Sequence, residues 1–182
     1  MTPAPWPLVT DWLRNRLTVV GEGAALAAFR AAAAGPGVLP WRFDLPQLEE
    51  EWRGLLAAPP AEAAISPQGA RHLARRLGEA VVAAQARALA TGPRCPLDLH
   101  RLLPVPEDIL ALGPEEPRSR MWLWSHWGTS RALRHVRALP AAGGAMAVEF
   151  WSADWSPWRA LLALRENWPG LRFTLVPDHD AG

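Results

Sequence analysis

Seven of the eleven tryptophans in this chain fall between Trp122 and Trp168, and any fold it adopts has to place each of them. Tryptophan is the largest apolar side chain and carries one N–H donor, so such a cluster marks either a heavily packed core or a flat stacking surface. At 182 residues the chain is about one domain on a prior of roughly 150 residues each, and residues 1–182 are read as one. An apolar fraction of 49% with 20% charged residues suits a globular chain and excludes wholesale disorder. Nineteen basic residues against eighteen acids leave a formal charge of +1, too small for an overall field that gathers nucleic acid or membrane. Any basic patch must be local.

Every basic residue is arginine, which together with the richness in alanine and proline reads as codon bias. Arginine's capacity for bidentate pairing and stacking matters only where geometry uses it. Cys95 stands alone, so no intramolecular disulfide or cysteine-based zinc site is expected, and a reducing cytoplasm fits. The first dozen residues lack a basic-then-apolar pattern, and no run approaches the roughly 18 apolar residues that span a bilayer. Neither export nor membrane insertion is expected.

NRLTVVG at 15–21 is rich in β-branched residues and closed by glycine, a strand signal. A helix is expected at 22–34, with Ala25, Leu26 and Phe29 at helical spacing and Gly35-Pro36-Gly37 as its stop. Helices follow at 45–57 and 66–91, the second with Ser66 as N-cap, Pro67 in its first turn and Leu73, Leu77, Val81 and Ala84 as one apolar stripe. They make a helical insertion at about 38–93. The proline-rich stretch 92–120 reads as an irregular connector with a short strand at 97–103. A strand is expected at 121–126, a short helix at 129–139, a strand at 146–152, a helix from Ser156-Pro157 to about 168 and a last strand at 171–176. Leader and insertion aside, the order is that of an α+β fold of ferredoxin-like type, a split βαβ antiparallel sheet with helices on one face.

Four segments carry a resemblance: NRLTVVG at 15–21, LHRLLPVPEDI at 99–109, WSHWGTS at 124–130 and ADWSPW at 153–158. In that order and spacing the chain resembles the YubB-type ferredoxin-like domain proteins carried on plasmids and phages. It departs from the family pattern at His126, where asparagine is usual, at Ser130-Arg131-Ala132, in place of lysine-tryptophan-aspartate, and at Trp158, in place of a second proline. The resemblance implies a fold and an origin on mobile elements, and supplies no catalytic residue.

Period-two alternation sends Leu17, Val19, Met146, Val148, Phe150, Leu171, Phe173 and Leu175 toward the helices. Arg16, Thr18, Val20, Trp122, Trp124, His126, Glu149, Trp151, Arg172 and Thr174 take the opposite face. Aromatics and arginines on an open sheet are how RNA-recognition modules stack unpaired bases. Inserted helices or a second subunit lying over the face would instead bury the tryptophans, because large exposed apolar patches are rare on monomers. Trp127-Gly128-Thr129 and Asp154-Trp155-Ser156 are expected at one edge of the sheet, where Trp127 and Trp155 could shape a small pocket and Ser156 caps the following helix. Arg71, Arg75 and Arg76 read as a solvated stripe or a line of phosphate contacts.

His72, His100, His126, His135 and His179 show no HExxH and no convincing ligand spacing, so no metal is expected; a pair formed by His126 and His135 is the one alternative. Gly21-Glu22-Gly23 lacks the third glycine of a dinucleotide fingerprint, and no phosphate loop, nucleophile elbow or kinase signature is present. No cofactor is expected. The chain therefore reads as a noncatalytic binding or protein-interaction module, its partner another protein or a second copy of itself. Single-stranded nucleic-acid binding on the Trp/Arg face is the first alternative, and a small enzyme using the edge loops the second.

Overall fold

Between Trp12 and Gly21 side chains alternate between buried Asn15, Leu17 and Val19 and exposed Arg16 and Val20, the signature of a strand with one face on a core. In the computed structural model, which describes residues 10–57, 65–91 and 95–178, this strand is β1 (Trp12–Gly21). After it come α1 (Gly23–Ala33), α2 (Leu45–Ala57), α3 (Pro67–Thr91), α4 (Leu99–Leu102), α5 (Glu107–Leu110) and α6 (Pro117–His126). The chain continues through β2 (Arg134–Leu139), β3 (Met146–Ala153), α7 (Trp158–Asn167) and β4 (Leu171–Asp178). The fold is α+β, with one antiparallel sheet of four strands in the order β2-β3-β1-β4. β1 and β3 are the central strands, with Leu17 opposite both Val148 and Leu175.

One sheet face and the helices bury each other. Leu17, Val19, Val148, Phe150, Phe173 and Leu175 meet Leu26, Phe29 and Ala33 of α1 and Ala160, Leu161 and Leu164 of α7 in a single apolar cluster. Phe29 stands at its centre, its ring edge-on to Phe173 and to Trp168, with both centroids at 5.3 Å. Burying a side chain of this size stabilises the fold by about 1.5–3 kcal/mol.

Three segments differ from the pattern expected of them. Residues 121–126 belong to helix α6, where Pro117 occupies the first turn and Ser119, Leu123 and Trp127 are buried at a spacing of four. That period places one helical stripe on the core and outweighs the chance alternation of Met121 to Trp124. Residues 97–103 hold the short helix α4 instead of a strand, because the Asp98 carboxylate accepts the His100 N–H at 2.9 Å and caps it. Residues 134–139 form β2 instead of a helix: His135 has φ +50°, the register shifts between Arg134 and Arg137, and pairing with β3 takes up the backbone.

Smaller differences concern caps and faces. Ser66 does accept the Gly69 N–H, at 3.1 Å. Ser156 does not cap α7, because its hydroxyl donates to Asn15 Oδ1 at 2.6 Å. On α3 the buried positions are Ala70, Ala74 and Gly78, with Leu77 and Val81 half-buried, while Leu73 and Ala84 face solvent. The stripe is rotated from the expected one because α3 packs mainly on α2, beside small residues.

Candidate functional site

Alternation from the buried positions of β1 puts Trp12, Arg14, Arg16, Thr18 and Val20 on the sheet face that lacks helices. Register carries Glu149 and Trp151 of β3, Arg134 and Arg137 of β2, and Arg172, Thr174, Val176 and Asp178 of β4 to the same face. The described helices leave it uncovered: Val20 is 44% and Val176 55% exposed, and Arg16, Arg134, Arg137, Arg172 and Thr174 are exposed. Trp12 and Trp151 are half-buried diagonal neighbours on the two central strands, since Trp12 pairs with Ala153 and Trp151 with Arg14.

Five arginines against two carboxylates make this face strongly basic on a chain whose net charge is +1. Arg14 Nε donates to Asp178 Oδ2 at 2.9 Å and Arg137 Nε to Glu149 Oε1 at 2.8 Å. Both pairs are solvent-exposed enough to contribute at most about 1 kcal/mol, so a polyanion can draw the guanidinium groups to itself. Arg134 lies over the Trp12 ring at 4.1 Å, a contact worth about 0.5–1 kcal/mol at an exposed site. A stacked base contributes about 1–3 kcal/mol, enough to displace it. At the rim Arg131 holds Glu115 through two bonds of 2.6 and 2.9 Å. That hydrogen bond is the main reason the Glu115 carboxyl sits below its usual range, with Arg134 adding to the effect.

The residues expected at the site separate into four places. Arg16, Trp151 and Arg172 lie on the open face. Trp122, Trp124 and His126 are removed from the sheet because they belong to α6: Trp122 packs against the core and stacks on the His126 ring at 4.1 Å. Trp127 is only 1% exposed and donates its indole N–H to Leu103 O at 3.2 Å, so it is a core residue. Trp155, in the turn after β3, is 59% exposed. Trp12, Arg14, Arg134 and Arg137 escaped sequence reasoning. A signal was available for the first two, since Trp12, Arg14 and Arg16 continue the alternation of NRLTVVG upstream.

The two edge loops do meet, and they fill the space between them. Gly128 has φ +83°, and a Cβ there would lie 3.2 Å from Arg159 N and 3.3 Å from Trp158 N. Thr129 Oγ1 donates to Ala153 O at 2.9 Å and accepts from Ala153 N at 3.0 Å, and the Ser130 hydroxyl donates to Asp154. Asn15 donates to Ser152 Oγ at 2.8 Å and accepts from Ser156. Asn15, Thr129, Ser130, Ser152 and Ser156 are all buried, so the network is a polar seam satisfied from within. The Ser130 hydroxyl is bonded to the Asp154 carboxylate, whose other oxygen accepts from Asp11 N, so both groups are held by the seam's own contacts.

Other groups lie away from this chemistry. Cys95 is half-buried, donates to Leu97 O, and has its thiol pushed up chiefly by burial. Arg75 pairs with Glu79 on the α3 surface at 3.1 Å. Among the described residues no group of three or more His, Cys, Asp and Glu side chains could hold a metal ion; His179 lies outside them. Among the same residues no helix is long and apolar enough to cross a membrane. Comparison with protein-family models, with curated proteins and with solved structures finds no match.

Proposed function

We propose that this chain is a noncatalytic binding module that holds single-stranded nucleic acid on the open face of a ferredoxin-like sheet. The observation that carries the reading is the diagonal pair Trp12 and Trp151 on the two central strands, ringed by Arg14, Arg16, Arg134, Arg137 and Arg172. Indole faces stack bases whatever their sequence, and guanidinium groups track the phosphates between them. The strand order supports the fold part: β3 lies between β1 and β2, and β1 between β3 and β4, so each half of the chain straddles a strand of the other. The YubB-type resemblance and an origin on mobile elements belong to the same proposal. Its WGTS and ADWSPW segments pack on one another, as shared motifs with a common structural task do. A cytoplasmic setting is part of it too, resting on the single cysteine.

Fluorescence anisotropy with labelled oligothymidylate and oligouridylate tests the reading. The wild-type chain should bind both, and Trp12→Ala with Trp151→Ala should remove binding while the far-UV circular dichroism spectrum stays unchanged, since neither indole sits in the core cluster. If the wild type binds neither oligonucleotide and sediments as a dimer that the double variant dissociates, the face is a self-association surface and the nucleic-acid reading fails.

A further inference from the structure

We infer that Trp155 is a third stacking platform, placed where the bound strand leaves the sheet; this deepens the function proposed above and rests on it. At 59% exposed, Trp155 presents more of its surface than the other described tryptophans exposed enough to be compared, Trp158 being at 38%. An indole so exposed contributes little to the core, and its burial by a ligand is favourable at about 25 cal/mol per Å² of apolar surface covered.

Its position is fixed by the turn that carries it. Asp154 N donates to Asp11 O at 2.6 Å, and Asp11 N donates to Asp154 Oδ1 at 3.1 Å. The Ser130 hydroxyl donates to the other carboxylate oxygen. These contacts hold Asp154 at φ +66°, in the left-handed region that side chains other than glycine's rarely adopt. Trp155 N then closes on Ala153 O at 2.8 Å. Asp11 is followed by Trp12 and Asp154 by Trp155, so the clamp sets the two indoles on either side of one backbone junction. Trp155 therefore stands two residues past the end of β3, in the turn beside the junction that also anchors Trp12. A platform held by a rigid turn binds with less ordering cost than one on a free loop.

The test compares a tetranucleotide and an octanucleotide of thymidine by fluorescence anisotropy, using wild type, Trp155→Ala, Trp155→Phe and the Trp12/Trp151 double variant. Trp155→Ala should leave tetranucleotide affinity within about twofold and weaken the octanucleotide by about 5- to 150-fold, the value of one base stack. Trp155→Phe, which keeps an aromatic face, should recover most of that loss. Octanucleotide binding unaffected by Trp155→Ala but abolished by the double variant overturns the third platform and leaves the sheet reading standing. An equal loss on both lengths overturns its placement at the exit. Wild type that binds neither probe overturns both, and dimerisation abolished by Trp155→Ala would assign the indole to a protein interface.

Discussion

Trp127 and Trp151 are chemically identical, yet one is a core pillar whose N–H is satisfied by Leu103 O and the other is half-open on a basic sheet face. What separates them is the period of the element around each, four for Trp127 and two for Trp151. The same dependence on local setting governs His100. Burial pulls its imidazole below the usual value, partly offset by Asp98, and Nδ1 accepts the Val105 N–H at 3.0 Å, which only the unprotonated nitrogen can do. An unfolded histidine titrates at about 6.5, so as pH falls the unfolded chain binds the proton first. The contribution of His100 to stability is therefore full above about pH 6.5 and is lost as pH drops toward its lower folded value. Urea unfolding followed from about pH 7.5 to about pH 5.5 should show a falling midpoint. His100→Asn, which keeps an acceptor near the Nδ1 position, should flatten that fall; an unchanged slope would remove His100 as its source.

At the scale of elements, α2 and α3 pack mainly on each other. No described residue of α2 is fully buried, α3 buries only Ala70, Ala74 and Gly78, and Gln85 ties the pair to the body through Trp41 O at 2.7 Å. With so little apolar surface committed to the core, the pair should open without the sheet. Hydrogen exchange measured by mass spectrometry should find its amides exchanging about a hundredfold faster than those of β1 and β3, and equal protection would show that the two regions unfold together. The long elements were legible in the sequence: β1, α1, α2, α3, β3, α7 and β4 announce themselves through unbroken periods and glycine or proline stops. The segments around α4, α6 and β2 were not. There a few residues fit two periods, and the decision came from the Asp98 cap, from the seating of Leu123 on the core and from the partner β3 offers to Arg134–Leu139.

For the molecule as a whole, the sheet gathers a local positive field on a chain that is nearly neutral. If three to five of the face arginines meet phosphates, the logarithm of affinity for a single strand should fall against the logarithm of salt with a slope of about −2 to −3.5. Arg16→Ala or Arg172→Ala should each reduce that slope by about 0.7, whereas Arg75→Ala on the far helix should leave it unchanged. Titration across about 50 to 200 mM salt reads this directly. By itself the sequence determined which residues would line the core side of β1, β3 and β4, because the strand period is two and a one-residue slip would bury arginine in place of leucine. Only the tertiary structure decided which tryptophans share a surface. Trp12 and Trp151 lie far apart in the chain and become neighbours through the register of β1 on β3, a long-range pairing that no local pattern encodes.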